Sequence, residues 1–256
     1  MTRRQRWKIL DRKKSAYRRH TKPLFLKAFD LQILPLFEKI KETSDIRDIV
    51  VPPLNDKPIE EAYKRLYLIT ASDYAMLQRM EFRKKDVSED EVFKALMYDE
   101  IINYLKIHKG ATITAAGDTS VELIQRMIDK MVPEIIDQGI GGGAAQTMLR
   151  DQIGSAWHEM KRFRTERIVR TEVNRASNWG SLEGAKSVGI DQDKVWLSSF
   201  APDSRETHNM ADGQRVDINE PFIVGGESLM HPLDLSLGAT AGNTINCLCG
   251  IYYKVK

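Results

Sequence analysis

Apolar residues along the first 140 positions recur at intervals of three and four, the repeat that lines one face of a helix. From Pro23 to Lys41 the set is Leu24, Phe25, Ala28, Phe29, Leu31, Ile33, Leu34, Leu36, Phe37 and Ile40. It predicts a helix kinked near Pro35, because proline donates no backbone hydrogen bond. Thr43, Ser44 and Asp45, followed by Val51-Pro52-Pro53-Leu54-Asn55-Asp56, predict a loop. Pro58 then suits the first turn of a helix to about Arg83, with Ala62, Leu66, Ile69 and Tyr74 on its stripe. Ser88-Glu89-Asp90-Glu91 reads as a capping box, opening a helix through Val92, Leu96, Ile101, Leu105 and His108 that Lys109-Gly110 should end. Another is expected from Asp118 or Thr119 through Val121, Ile124, Ile128, Val132 and Ile136 to Gly139.

Gly139-Ile140-Gly141-Gly142-Gly143 is the strongest internal punctuation. A phosphate-binding loop there would need a hydrophobic strand before it and a lysine within it; both are missing, so a hinge is the expected use. Helices follow from Ala144 to about Phe163, burying Leu149, Ile153, Ala156, Trp157 and Met160, and from about Thr165 to Val188. After Gly189 the pattern shortens into strands at Lys194–Phe200, Gln214–Asp217, Phe222–Val224 and Cys247–Val255, separated by glycine and proline. Trp179 and Trp196 are expected in the core, packed on each other. The fold class is therefore α+β, a mostly helical N-terminal half followed by a small domain with a short antiparallel sheet. The expected divisions are a basic arm over 1–27, a helical domain over 28–140 and an α+β domain over 141–256.

Charge changes this picture at one end. The first 27 residues hold eleven Lys or Arg against Asp11, a charge of +10, whereas the remainder carries 28 basic and 35 acidic residues. Arg3, Arg4, Arg6, Lys8, Arg12, Lys13, Lys14, Arg18, Arg19 and Lys22, interleaved with Trp7 and Tyr17, form a candidate contact for DNA or for an acidic protein. No window approaches the roughly 18 consecutive apolar residues of a spanning helix, so no membrane partner is expected. Cys247 and Cys249 are too close in sequence for an unstrained bridge, and a reducing compartment fits.

Read in order, the C-terminal segment gives Arg170-Thr171-Glu172, Lys194-Val195-Trp196, the D-x-R-x-x-H run of Asp203, Arg205 and His208, and Asp212-Gly213. Gly225-Gly226-Glu227, His231-Pro232, Asp234 and the closing Asn243, Asn246, Cys247 and Cys249 complete it. This order, over roughly residues 140–256, resembles the phage Mu F-like minor head protein family of tailed bacteriophages. The resemblance implies a minor structural protein of the head, not an enzyme, acting in head assembly, DNA packaging or genome delivery. Its implied partners are the portal and capsid proteins and phage DNA, in multiple copies per virion. Its implied location is the head or portal region of a virion assembled in the host cytoplasm. The basic arm would then face packaged DNA.

Two further readings attach to the same residues. Another branch of the family carries a C-x-x-C pair ahead of its D-G and an H-P-x-C-x-C ending. Here the first pair is missing, and His208, Cys247 and Cys249 need a fourth partner from Asp203, Asp212 or His231 to close a zinc site. No cofactor is therefore expected, and the cysteines read as small buried hydrophobes on one face of the last strand. The alternative function is a nuclease or other hydrolase, with His208 as base, Arg205 on a phosphate, and Glu172 and Asp203 as orienting carboxylates.

Overall fold

A computed structural model describes residues 1–82 and 87–256, and their side chains except at 87–90 and 109–119. The elements in order are α1 (Arg3–Glu42), a 3-10 turn (Ile46–Asp48), α2 (Lys57–Phe82), α3 (Val87–Asp137) and α4 (Gly142–Lys186), then β1 (Gln192–Leu197) and α5 (Glu206–Met210). β2 (Arg215–Asp217), β3 (Phe222–Val224), β4 (Glu227–Leu229), α6 (Ala241–Thr244) and β5 (Gly250–Val255) complete the chain. The α+β expectation holds.

Several boundaries differ from the sequence reading. α1 passes through both Pro23 and Pro35, α3 continues through Lys109-Gly110, and α4 continues through Phe163 to Thr165. An interior proline costs a helix about 3 kcal/mol and a single glycine about 1 kcal/mol, which packing on either side offsets, and Phe163-Arg164-Thr165 holds neither. The capping box expected at Ser88 lies outside the described side chains. The glycine run is a tight connection, with Gly139 and Gly142 at φ 71° and 58°.

The chain divides into two compact units, each discontinuous in sequence. One comprises residues 1–22, 63–108 and 167–256; the other comprises 23–62 and 109–166. This differs from the contiguous divisions expected at 27 and 140, because the long helices each contribute a segment to both units. The second unit is helical. Phe25, Phe29, Ile33, Leu36 and Ile40 line α1 at helical spacing and are buried with Ile124, Ile128, Leu149, Ile153 and Trp157. The Trp157 indole meets Phe29 edge-on, and its Nε1 donates to the Phe29 carbonyl at 3.3 Å.

The first unit is organised around the C-terminal part of α4. Residues 171–182 are buried without interruption, although seven of the twelve are polar or charged. Burial on every side removes the amphipathic stripe of a surface helix. Two glycines on this stretch allow α2 to approach closely. A Cβ on Gly180 would lie 2.2 Å from the Ala71 carbonyl oxygen, and one on Gly184 2.3 Å from that of Ala75. Against α4 stands an antiparallel sheet in the order β2-β1-β5, with Trp196 opposite Ile251 and Val195 opposite Tyr252 and Arg215. A separate β3-β4 hairpin turns at Gly225-Gly226, both at positive φ, as a two-residue turn of primed type requires. Leu182, Ala185, Trp196, Phe222, Val224, Leu229, Leu233 and Ile251 form the shared core. The two expected core tryptophans enter different ring clusters: Trp179 stacks on Tyr104, whereas Trp196 stands edge-on to Phe222 and His208.

Candidate functional site

The closing N-x-I-N-C-x-C run does not enter the last strand. β5 begins only at Gly250, and Asn246 at φ 61° turns the chain so that Cys247 and Cys249 lie in the connection leaving α6. Both sulfurs are buried and face one atom: His208 Nδ1 lies 3.5 Å from Cys247 Sγ and 3.4 Å from Cys249 Sγ. His208 is delivered by the short α5, whose N-cap is Arg205.

The other ring nitrogen of His208 is fixed. Asn243 donates through Nδ2 to the Val224 carbonyl and to Glu227 Oε2, both at 2.9 Å, so its Oδ1 is the atom that faces His208 Nε2 at 2.6 Å. Nε2 therefore carries a proton and donates it to Asn243. Glu227 is held in turn by the backbone N–H and hydroxyl of Thr240 at 3.0 and 2.7 Å. The chain Thr240, Glu227, Asn243, His208 thus orients one imidazole toward two thiols.

α4 supports the cysteines from beneath. Asn174 Nδ2 donates to the carbonyls of Cys247 and Cys249 at 2.8 and 3.0 Å, and Asn178 donates to Cys249 O at 3.0 Å. The Oδ1 atoms of both asparagines accept from the Lys14 ammonium, which comes from α1. Thr171 Oγ1 accepts from the Asn246 N–H at 3.1 Å. Burial pushes the Lys14 ammonium down to about 7, against the opposing pull of Cys247. Burial also disfavours charge on His208 and on Cys247. On His208 the hydrogen bond and charge of Cys247 outweigh it and lift the imidazole; on Cys247 the hydrogen bond from Cys249, with that to His208, outweighs it and draws the thiol well below its usual range. The hydrogen bond to Cys247, together with burial, drives Cys249 the other way.

A cavity of about 210 Å³ opens on this cluster, lined by Arg170, Asp203, Arg205, His208 and both cysteines among others. Arg170 contacts Asp203 at 3.4 Å, and Arg205 donates to the Ile245 carbonyl at 2.7 Å. Glu172, expected beside them, is elsewhere: it is buried in an ion pair with Arg175 and accepts from the Tyr67 hydroxyl at 2.9 Å. Asp212 is engaged by the Ser198 N–H at 3.0 Å and by Arg3 at 2.7 Å. Gly213 continues the pairing of β2 with the central strand β1, its N–H donating to the Trp196 carbonyl at 2.9 Å. Asn174, Asn178 and Lys14 carry the support of this site, and no pattern in the sequence singles them out.

The basic residues divide into two faces of α1. Trp7 Nε1 donates to the Leu248 carbonyl at 3.0 Å, Lys14 is buried as described, and Tyr17 donates to Asp73 at 2.8 Å. Arg18 pairs with Asp11. Arg4, Lys8, Arg12, Lys13 and Arg19 are exposed, and Arg6 and Lys22 are partly buried. A cleft of about 610 Å³ near the helix start is lined by Arg3, Arg4, Arg6, Lys254, Tyr252 and Phe200, with no acidic group among the described lining residues. Arg6 stacks over the Tyr252 ring at 4.5 Å.

Comparison with known proteins bears on the part of the chain that holds this cluster. Residues 126–252 match the family described as Phage Mu protein F like protein. The motif resemblance is thereby supported, and with it a place among bacteriophage head morphogenesis proteins. A stretch of 86 residues is 35% identical to the NAD(+)--arginine ADP-ribosyltransferase EFV of Enterococcus faecalis (strain ATCC 700802 / V583). That stretch is 32% of this chain and 17% of that protein, so the chain spans under a fifth of the relative. No solved structure matches. Among the described residues, no helix is long and apolar enough to cross a membrane.

Proposed function

We propose that the protein is a minor structural component of a tailed-phage head, docking on portal or inner capsid surfaces and contacting DNA through α1. The observation that carries the DNA contact is the segregation of charge on residues 3–22. Trp7, Leu10, Lys14, Tyr17 and Thr21 recur at three and four on the inward face, while Arg4, Lys8, Arg12 and Arg19 share the outward one. Arg4 also lines the basic, aromatic cleft, so stripe and cleft form one surface suited to phosphates and stacked bases. Portal assemblies repeat their surfaces around an axis, and weak copies bound there gain avidity.

The test replaces Arg4, Lys8, Arg12 and Arg19 with glutamine and follows duplex DNA affinity against salt. Each phosphate that is no longer neutralised should flatten the logarithmic slope by about 0.9, with thermal unfolding unchanged. An unchanged slope overturns the DNA contact. Truncation of residues 1–22 is not an equivalent test, because it also removes Trp7 and Lys14 from the fold. The hydrolase constellation expected from the sequence loses Glu172, which is committed to Arg175, and this favours the structural reading. Nucleic-acid cleavage that His208→Ala abolishes would reverse that preference.

A further inference from the structure

We propose that His208, Cys247 and Cys249 form a three-ligand site for a zinc ion, with a fourth position open to the adjoining cavity. Three observations lead to it. The first is distance. Zinc holds thiolate sulfur at about 2.3 Å and imidazole nitrogen at about 2.05 Å, so a tetrahedral site separates the two ligand atoms by about 3.6 Å. The measured separations are 3.5 and 3.4 Å. All three ligand atoms lie within 4.8 Å of one another, against about 3.8 Å between two sulfurs on one zinc, so closing the site needs the sulfurs to move by at most about 1 Å.

The second observation is the tautomer. With Nε2 donating to Asn243, the neutral ring presents one lone pair at Nδ1, and two thiols face it. One lone pair accepts one hydrogen bond well; a cation between the three atoms uses it together with both sulfurs. Ligand histidines are commonly fixed in this manner, the far nitrogen donating to a carbonyl or carboxylate that orients the ring. Here that acceptor is Asn243 Oδ1, locked by Val224 and Glu227. Cys247 Sγ also accepts the Cys249 N–H at 3.4 Å, a contact that suits a metal-bound thiolate.

The third is access. The three residues all line the same cavity, and the candidates for a fourth protein ligand are taken up otherwise. Asp212 is held by Ser198 and Arg3, His231 Nδ1 lies 2.9 Å from the Pro232 carbonyl, and Asp203 is largely exposed and faces Arg170. The fourth position thus falls to water or an incoming group, with Arg170 and Arg205 beside it. The donor set, two soft sulfurs and one imidazole, selects zinc over magnesium or calcium.

The experiment is elemental analysis of the full chain purified without chelator, followed by zinc removal and titration with cobalt(II). About one zinc per chain is expected, together with visible bands of tetrahedral cobalt and an ultraviolet thiolate-to-cobalt band. Cys247→Ser and Cys249→Ser should each lower metal content at least tenfold, and Asn243→Ala should weaken affinity about 10- to 100-fold while the ligands remain. The cobalt spectrum is read on the unaltered protein, so a variant that fails to fold leaves the test intact. Less than a tenth of an equivalent of metal with no cobalt bands overturns the proposal. So does rapid alkylation of both cysteines in excess zinc, which would identify a free thiol pair instead.

Discussion

Replacing Gly184 with alanine sets two effects of opposite sign against each other. In an isolated helix the substitution stabilises by about 1 kcal/mol, because alanine loses less backbone freedom than glycine. In this fold the new Cβ would stand 2.3 Å from the Ala75 carbonyl oxygen and 2.7 Å from the Ala75 Cα, where carbon needs roughly 3.2 Å or more. Both obstructing atoms are main chain, so no rotamer change relieves the contact, and α2 and α4 must part by about 1 Å. Because the contact is with main chain, such overpacking costs about 3 kcal/mol, the upper end of the usual range, and the buried stretch 171–182 adjoining it leaves α4 little room to roll. We expect a net loss of about 2 kcal/mol. Gly154, on the same helix, is the control: its added Cβ would meet only Phe37 Cζ at 3.8 Å, an ordinary contact. Gly154→Ala should therefore be neutral or stabilising by up to about 1 kcal/mol. Urea unfolding followed by tryptophan fluorescence and far-ultraviolet circular dichroism measures both. A Gly184→Ala protein as stable as the parent would refute the close approach of α2 and α4.

Two further substitutions probe buried charge. Arg175→Leu leaves the Glu172 carboxylate buried beside Tyr67 without its cation, and should cost about 3–5 kcal/mol by denaturant titration; a loss under about 1 kcal/mol would contradict the buried pair. Lys194 is fully buried with its ammonium donating to the Met230 carbonyl at 2.7 Å, and burial pushes it from 10.5 down to about 8. The unfolded chain then holds this proton more tightly than the folded one, so Lys194 makes stability rise between about pH 8 and 10.5, by about 3 kcal/mol over the whole interval. Subtracting the profile of Lys194→Met from that of the parent isolates the contribution, and coincident profiles would refute it.

Much of this architecture was legible in the sequence, and the exceptions have physical causes. β1, β2, β3 and β5 are each marked by β-branched or aromatic residues, whereas β4, Glu227-Ser228-Leu229, holds neither and is not visible in the sequence. The first helical turns were hidden by charge. Lys14 interrupts the stripe of Trp7, Leu10, Tyr17 and Thr21 because its ammonium is used as an internal hydrogen-bond donor. Along residues 171–182 a helix buried on all sides shows no stripe at all, and its asparagines read as surface residues until the carbonyls they serve are located. In the cluster, His208, Cys247 and Cys249 were visible as residue types, but the backbone turn at Asn246 and the orienting role of Asn243 arise only from the fold.

The docking of Trp7 on Leu248 spans 241 positions of the chain, which gives the molecule a vectorial constraint during synthesis. At roughly 5–20 residues per second, a ribosome needs about 12–50 s after making Trp7 to produce its acceptor. Throughout that interval the apolar face of the first helix and the eleven basic side chains of residues 1–27 have no sheet to close upon. The unit that holds residues 247–252 is thus completed by its earliest and latest parts together, a late long-range closure of the kind that slows folding. A nascent chain halted before Leu248 would expose a cationic, aromatic helix to whatever polyanion lies nearest, the ribosome included.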